Sequence, residues 1–350
     1  MPARQTLPDR PAPPAGQPAR SAGWAPRRRA GARARPLPAP ALAVAALASL
    51  LLSAPGVALG WPPAPGAPSA RRAGAAPDAA PAPVIPAGAG EILRKPPRFT
   101  QGLFFAGDLL YESSGLYGES RLTVWRRAGG GLEPEAGLCL SPRIFAEGAA
   151  LAAGEVFVLT WRENAVLRFG ADLSPRGALF VPGQGWGLAW DGETLWRSDG
   201  TSRLHPHDPA GFAPKGPPLE VSDAGKAPGP LNELEYDPRT GLVLANVYMT
   251  DRVAAIDLET GLVRFWLDLS ALARPLRMEL HSPELVLNGL AVDGGGRLYA
   301  TGKMWDRMFE ILYALPEGVG SRDPPAAPAP GPPPAFDEGL RAGCPGMPSP

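Results

Sequence analysis

The sequence predicts an all-β fold, a five-bladed β-propeller, on three observations. Five equivalent short segments recur through the middle of the chain. Each is followed by short apolar runs bounded by turn residues, and the region that holds them is flanked by stretches unable to pack a core. The chain has 350 residues, with 46 Pro and 43 Gly. The prolines are unevenly spread: 21 fall in residues 1–98, 11 in residues 314–350 and 14 in the long segment between. Seven of the nine tryptophans lie in that middle segment. One globular domain over 84–315 is therefore expected, because the flanks are too poor in large apolar groups to offset the entropy of ordering them.

Taken in chain order, residues 1–40 carry eight Arg, one Asp and no Lys. The apolar run Ala41–Leu52 and small residues up to Gly60 follow. A basic flank, a short apolar stretch and a small-residue exit are the parts of a secretory signal, so residues 1–60 read as a targeting segment. About 12 apolar residues are too few to span a bilayer comfortably; an uncleaved signal would still anchor the chain. Residues 61–83 read as a flexible Pro/Ala spacer and 316–350 as a disordered Pro-rich tail. Export to the periplasm or the exterior is the expected location.

The repeats are Phe99-Thr-Gln-Gly-Leu103, Phe145-Ala-Glu-Gly-Ala149, Gly185-Trp-Gly-Leu188, Leu231-Asn-Glu-Leu234 and Leu287-Asn-Gly-Leu290. Their variable positions are Gln101, Glu147, Trp186, Asn232 and Asn288, a spacing that varies modestly around one blade's length. Runs such as Val156–Leu159, Leu242–Ala245 and Arg252–Ile256 follow them and read as antiparallel strands. Four strands per unit at such a period make a propeller blade. After its third run, near Tyr313, the last repeat enters the tail with no fourth strand left. Ala82–Ile92, upstream of the first repeat, is the expected donor, and joining the two ends in one sheet removes an exposed edge.

In a propeller the first strand of each blade lines the central channel, so the five variable residues converge. They are one carboxylate, one indole and three carboxamides, a composition suited to a site rather than a core. Glycine after most of them lets backbones approach closely.

These residues resemble a known family. Phe99-Thr-Gln-Gly-Leu, Tyr111-Glu-Ser-Ser-Gly-Leu-Tyr-Gly118, Phe145-Ala-Glu-Gly, Leu159-Thr-Trp161, Gly185-Trp-Gly-Leu, Ser198-Asp-Gly-Thr201, Leu231-Asn-Glu-Leu-Glu-Tyr236, Asn246-Val-Tyr-Met-Thr-Asp251 and Thr301-Gly-Lys-Met-Trp305 look, in order, like the plant-type glutaminyl cyclases of plants and bacteria. The resemblance covers about 99–313 and implies a five-bladed propeller. It implies conversion of an N-terminal glutamine to pyroglutamate with release of ammonia, on peptides or proteins and without a metal or other cofactor. It further implies that Glu147 is the catalytic acid/base and that Phe99, Gln101, Phe145, Trp161, Trp186, Asn232 and Lys303 form the pocket. Two positions depart from the family pattern. Ala146 replaces a usual Gly, and Tyr248, a pocket-wall position, replaces a usual Trp.

The chemistry suits these residue types. The α-amine and the γ-carboxamide already share one molecule, so the site must fold the substrate onto itself and move one proton. Phe145, Trp161 and Trp186 around Glu147 are expected to raise its pKa. Asn232, Gln101 and Lys303 are donors for a developing oxyanion. Trp190, Trp196 and Trp266 read as packing, and Glu233 and Glu235 as partners for nearby backbone or for Lys303. His205-Pro-His207 has no third ligand near in sequence, so no metal is expected. Two cysteines, Cys139 and Cys344, do not make a disulfide framework. Zero net charge with no basic face argues against nucleic acid, and a monomer is the default. Two rival readings use the same residues. A lactonase-type hydrolase would hold a hard cation with Glu147, Asn232 and Asn288, and a non-catalytic propeller would bind N-terminal Gln peptides without turnover.

Overall fold

Each repeat folds as an antiparallel meander in the computed structural model, which describes residues 81–280, 285–321 and 334–335. The expected targeting segment, all but the end of the spacer and most of the tail lie outside the described residues. Two short strands, β1 (Val84–Pro86) and β2 (Gly88–Arg94), lead in. The first meander is β3 (Thr100–Ala106), β4 (Leu109–Ser114), β5 (Arg121–Ala128) and β6 (Gly131–Cys139). The second is β7 (Ala146–Ala152), β8 (Glu155–Thr160), β9 (Ala165–Gly170) and β10 (Pro175–Phe180). The third is β11 (Leu188–Trp190), β12 (Leu195–Ser198), β13 (Arg203–His207) and β14 (Leu219–Glu220). The fourth is β15 (Leu231–Asp237), β16 (Leu242–Val247), β17 (Arg252–Ile256) and β18 (Val263–Asp268). The fifth has three strands of its own, β19 (Leu287–Val292), β20 (Leu298–Gly302) and β21 (Arg307–Leu312).

Hydrogen bonding joins these strands into four sheets. Two are four-stranded, β10-β9-β8-β7 and β11-β12-β13-β14; one is β1-β18-β17-β16-β15. The fourth runs β19-β20-β21-β2-β6-β5-β4-β3. Its two halves meet only at the parallel pair Arg94↔Gly131, whereas β2 runs along β21 from Gly88↔Leu312 to Arg94↔Arg307. The N-terminal strand thus completes the last meander, as the sequence leads one to expect.

The first strands of the five meanders stand side by side. β3 contacts β7 and β19, β7 contacts β11, β11 contacts β15, and β15 contacts β19, so they close on themselves. The approach is backbone on backbone. A Cβ on Gly148 would lie 2.6 Å from Gly187 Cα, and one on Gly187 would press on Asn232 O and lie 2.8 Å from Glu233 Cα. Outward from this ring, five apolar clusters fill the five gaps between neighbouring meanders. Leu122, Val124, Val156 and Val158 lie between the first and second, and Phe157, Leu159, Leu188 and Leu195 between the second and third. Leu204, Leu234, Val243 and Ile256 sit between the third and fourth, and Leu244, Phe265, Leu290 and Phe309 between the fourth and fifth. Leu103, Trp125, Tyr299 and Met308 close the circuit. Each such fully buried side chain contributes roughly 1.5–3 kcal/mol.

Three features differ from expectation. The segment Ala82–Ile92 is not one strand. β1 adds to the outer edge of the fourth meander, parallel to β18, and β2 alone reaches β21. Pro86 cannot donate a backbone hydrogen bond, and it marks the break between the two. A helix, α1 (Ser270–Leu280), lies between the fourth and fifth meanders and accounts for the longest repeat spacing. Asp268 Oδ1 accepts from Ser270 N at 2.9 Å in a turn that leads into the helix, while Ala273 and Leu276 are buried and Arg277 pairs with both carboxylate oxygens of Asp251. Finally, Cys139 is disulfide-bonded; the chain's other cysteine, Cys344, lies outside the described residues.

Candidate active site

Four of the five first strands carry an irregularity at the residue singled out in the sequence. Register shifts between Thr100 and Gly102 on β3, Ala146 and Ala149 on β7, Leu231 and Leu234 on β15, and Leu287 and Leu290 on β19. In the third meander regular pairing begins only at Leu188, after Trp186-Gly187. A bulge re-aims a side chain and frees its backbone from the ladder, and the freed groups bond across the ring. Ser113 Oγ donates to Glu147 O at 2.5 Å, Gly148 N to Trp186 O at 2.6 Å and Ser198 Oγ to Asn232 O at 2.6 Å. Gly289 N donates to Asn246 Oδ1 at 3.0 Å and Asn288 Nδ2 to Thr100 O at 2.9 Å. Each bond ties one meander to the next, all the way round.

Glu147 is buried on this ring, only 5% exposed. Gln101 Nε2 donates to its Oε1 at 3.3 Å, and Asn288 Nδ2 in turn donates to Gln101 Oε1 at 3.0 Å. Burial pushes the Glu147 pKa well above the usual carboxylate range; the Lys303 ammonium opposes this and the Glu163 carboxylate adds to it. Glu147 is not the lone acid near the axis. Glu233, fully buried on β15, accepts from Leu103 N at 3.3 Å and Leu290 N at 2.9 Å, so it braces β3 and β19. Glu235 accepts from Val292 N at 2.7 Å. Both therefore partner backbone.

Aromatic rings assemble beside Glu147 from segments that just precede or follow strands. Phe145, half-buried, has Phe99 edge-on at 6.2 Å, Tyr117 at 5.4 Å and Trp161 at 5.4 Å. Trp186 meets Tyr248 edge-on at 5.5 Å. Lys303, 7% exposed, holds its Nζ 4.8 Å from the Phe99 ring centre and 5.5 Å from that of Tyr248, within cation–π range. Phe99, Gln101, Phe145, Glu147, Trp161, Trp186, Tyr248 and Lys303 are thus linked by direct contacts or, for Lys303 and Glu147, by their charges. Asn232 is buried at the matching place on β15, with no hydrogen bond from its side chain to Glu147 among the described residues.

Comparison with known proteins bears on what this arrangement is. The family model described as glutamine cyclotransferase matches residues 74–313. The chain belongs to the glutamine cyclotransferase family. Among curated relatives, a glutaminyl-peptide cyclotransferase of Arabidopsis thaliana is 36% identical over 232 residues, covering 63% of this chain and 69% of the relative. Among solved structures, the glutaminyl cyclase of Myxococcus xanthus superposes with a TM-score of 0.62 at 32% identity, covering 69% of this chain and all of that one.

Two groups at the site of this cyclotransferase carry no obvious sequence signal. Tyr117 OH donates to Glu163 Oε1 at 2.8 Å, and Phe145 N approaches Glu163 Oε2 at 3.5 Å. Burial, followed by that hydrogen bond, pushes the Tyr117 phenol up to about 12. Gln184 Oε1 accepts from both indoles, Trp161 Nε1 and Trp186 Nε1, each at 3.0 Å. Only position hints at either residue: Glu163 lies two after Trp161, and Gln184 directly before Gly185-Trp-Gly. Of the departures, Ala146 is fully buried with its N donating to Ser120 Oγ at 3.0 Å, so its methyl is accommodated. Elsewhere Trp266 is buried and Trp190 and Trp196 pack against apolar clusters. His205 pairs with Asp199, and His207 is held between Arg197 and Phe212 O, its pKa lowered to about 4 chiefly by burial. A separate cleft of about 770 Å³, lined by Asp191, Trp196, Tyr236 and Asp257, shares none of the predicted site residues.

Proposed function

We propose that this chain converts the N-terminal glutamine of peptides and proteins to pyroglutamate, releasing ammonia, on a five-bladed propeller with Glu147 as proton carrier. The observation that carries the reading is a buried carboxylate with a raised pKa, two residues from Phe145 in a cluster of aromatic rings and within the field of the Lys303 ammonium. The ring of five first strands, with five clusters between meanders, supports the five-bladed architecture. On that count β3–β6 form one blade, and β2 with β19–β21 another.

The α-amine nitrogen attacks the γ-carbonyl carbon, the C–N bond to the carboxamide nitrogen breaks, and that nitrogen leaves as ammonia. The amine must lose a proton and the leaving group must gain one. Glu147 accepts the first and returns it as the second, so it ends as it began. General acid–base help of this kind is worth about 10²–10⁴-fold. A carboxylate of ordinary pKa would be too weak a base; burial brings Glu147 nearer the amine, whose free pKa lies near 8. Lys303, Gln101 and Asn232 supply N–H donors for the carboxamide oxygen as negative charge builds, each such donor being worth about 10²–10³ in rate. The aromatic wall holds the glutamine side chain curled back on its own amine, the orientation on which an intramolecular attack depends. The basic and apolar character of residues 1–60 supports export.

The test is incubation of the purified chain with a Gln-initiated dipeptide, following ammonia and the loss of a free amine. Ammonia release matched by amine loss is expected, with neither from the N-acetylated dipeptide. Binding of the dipeptide without ammonia would leave a non-catalytic binder, and turnover of lactones alone would leave a hydrolase.

A further inference from the structure

One oxygen joins the two indoles of the pocket wall. Trp161 follows β8 in the second meander, and Trp186 precedes β11 in the third; Gln184 lies in the connection between them. An amide carbonyl has two lone pairs and can serve both N–H groups at once, and both distances are 3.0 Å. Gln184 is solvent-exposed, so its side chain could equally have been left to water. Its backbone is instead fixed from both sides. Gln184 O accepts from Arg197 Nη1 at 2.6 Å, Gly185 N donates to Thr160 O at 3.1 Å, and Gly183 N donates to Asn164 Oδ1 at 2.9 Å.

The faces of the two indoles are set by other groups. Arg162 Cζ lies 3.6 Å from the centre of Trp161, Tyr248 stands edge-on to Trp186, and Gly200 leaves room for the Trp186 ring, since a Cβ there would lie 2.6 Å from it. What those contacts leave free is rotation of each ring within its own slot, and a hydrogen bond at the ring edge removes that freedom. Because one oxygen serves both, neither indole can turn without straining the other's bond.

We propose that Gln184 is a positioning residue, whose single carbonyl oxygen locks Trp161 and Trp186 into one wall spanning two meanders. The proposal rests on the cyclisation reading for its effect on turnover, but not for its effect on the indoles. It acts through the tryptophans rather than on the reacting atoms, so the cost of losing it is expected mainly in KM.

The experiment compares wild type with Gln184→Met and Gln184→Glu, using nitrogen-15-labelled tryptophan and steady-state rates on a Gln-initiated dipeptide. Gln184→Met keeps the length of the side chain and removes the acceptor. Two indole N–H resonances should then shift together and exchange faster with solvent, and kcat/KM should fall roughly ten- to hundredfold through KM, the loss expected for two hydrogen bonds. Gln184→Glu keeps an acceptor and should stay within about threefold of wild type, with both resonances still protected. Unchanged resonances in Gln184→Met would overturn the proposal, as would a Gln184→Glu variant as impaired as Gln184→Met. If the wild type releases no ammonia, the cyclisation reading fails alone, and the resonances still decide the clamp.

Discussion

Gly148 follows Glu147 directly, and replacing it with alanine tests whether the site depends on backbones meeting at the axis. The new Cβ would fall 2.6 Å from both Gly187 Cα and Leu188 N, and 2.7 Å from Gly187 C. All three are main-chain atoms of the neighbouring meander, so no flexible side chain can yield. Overpacking a fixed site costs about 1–3 kcal/mol or more, and the upper end applies where only backbone can move. A loss of roughly 3 kcal/mol corresponds to a fall in Tm of about 6–12 °C at this domain size. The strand shift would also displace the carboxylate one residue away, and a misplacement of about 1 Å can cost roughly 10²-fold in rate. Gly187→Ala, whose Cβ would press on Asn232 O and lie 2.8 Å from Glu233 Cα, should behave alike. Gly88→Ala is the control. Nothing lies within 4 Å of its Cβ, and a tolerated Gly→Ala change stabilises by about 0.4–1 kcal/mol. Calorimetry and ammonia release would be run on all three. A Gly148→Ala protein that melts with the wild type and keeps its rate would refute the close-packed ring.

Other perturbations follow from the charges. Burial raises the Glu147 pKa in the folded state, so this group's contribution favours folding at low pH and is lost as pH rises through that raised value. Glu147→Gln should therefore be more stable than wild type, and its advantage should grow from pH 5 to pH 8 by at most about 1.4 kcal/mol for each tenfold fall in proton concentration. Thermal melts across that range would show it, and an advantage that shrinks with pH would contradict it. Lys303 and Glu163 push the same carboxylate in opposite directions. Lys303→Met should move the acid limb of the kcat/KM profile to higher pH and lower the rate roughly 10²–10³-fold through loss of a donor. Glu163→Gln should move that limb to lower pH with the rate at its optimum largely kept; limbs moving the same way in both variants would refute the assignment.

The strands are legible in the sequence because each is a short apolar run bounded by turn residues, and because the meander repeats. The positions Gln101, Glu147, Trp186, Asn232 and Asn288 are legible as equivalents, and four of them coincide with bulges or their flanks. The bulges are not legible, since register depends on a partner strand that a repeat pattern does not show. Helix α1 is hidden for a different reason. Its residues Ser270–Leu280 include Pro275 and present only a short apolar face, so the insertion registers merely as a long spacing. The split of Ala82–Ile92 into β1 and β2 is not legible, because the choice between two partner edges, β18 and β21, is made only in the folded sheet. Gln184 and Glu163 are ordinary polar residues in connecting segments, and their significance arises only where the fold brings those segments beside the rings. Glu147 is the one carboxylate among the five equivalent positions, but a second lies next to Asn232. Glu233 shares the axis, yet both its oxygens are taken by backbone N–H groups, whereas Glu147 meets a side-chain amide and the field of an ammonium.

The most direct measurement is the turnover of a Gln-initiated dipeptide by Glu147→Gln beside wild type, under saturating substrate. The variant keeps the shape of the side chain and a carbonyl that can still accept from Gln101, but it can carry no proton. A rate reduced by about 10²–10⁴-fold with little change in dipeptide binding is the expected result. A variant that releases ammonia as fast as wild type would show that the proton travels by another route.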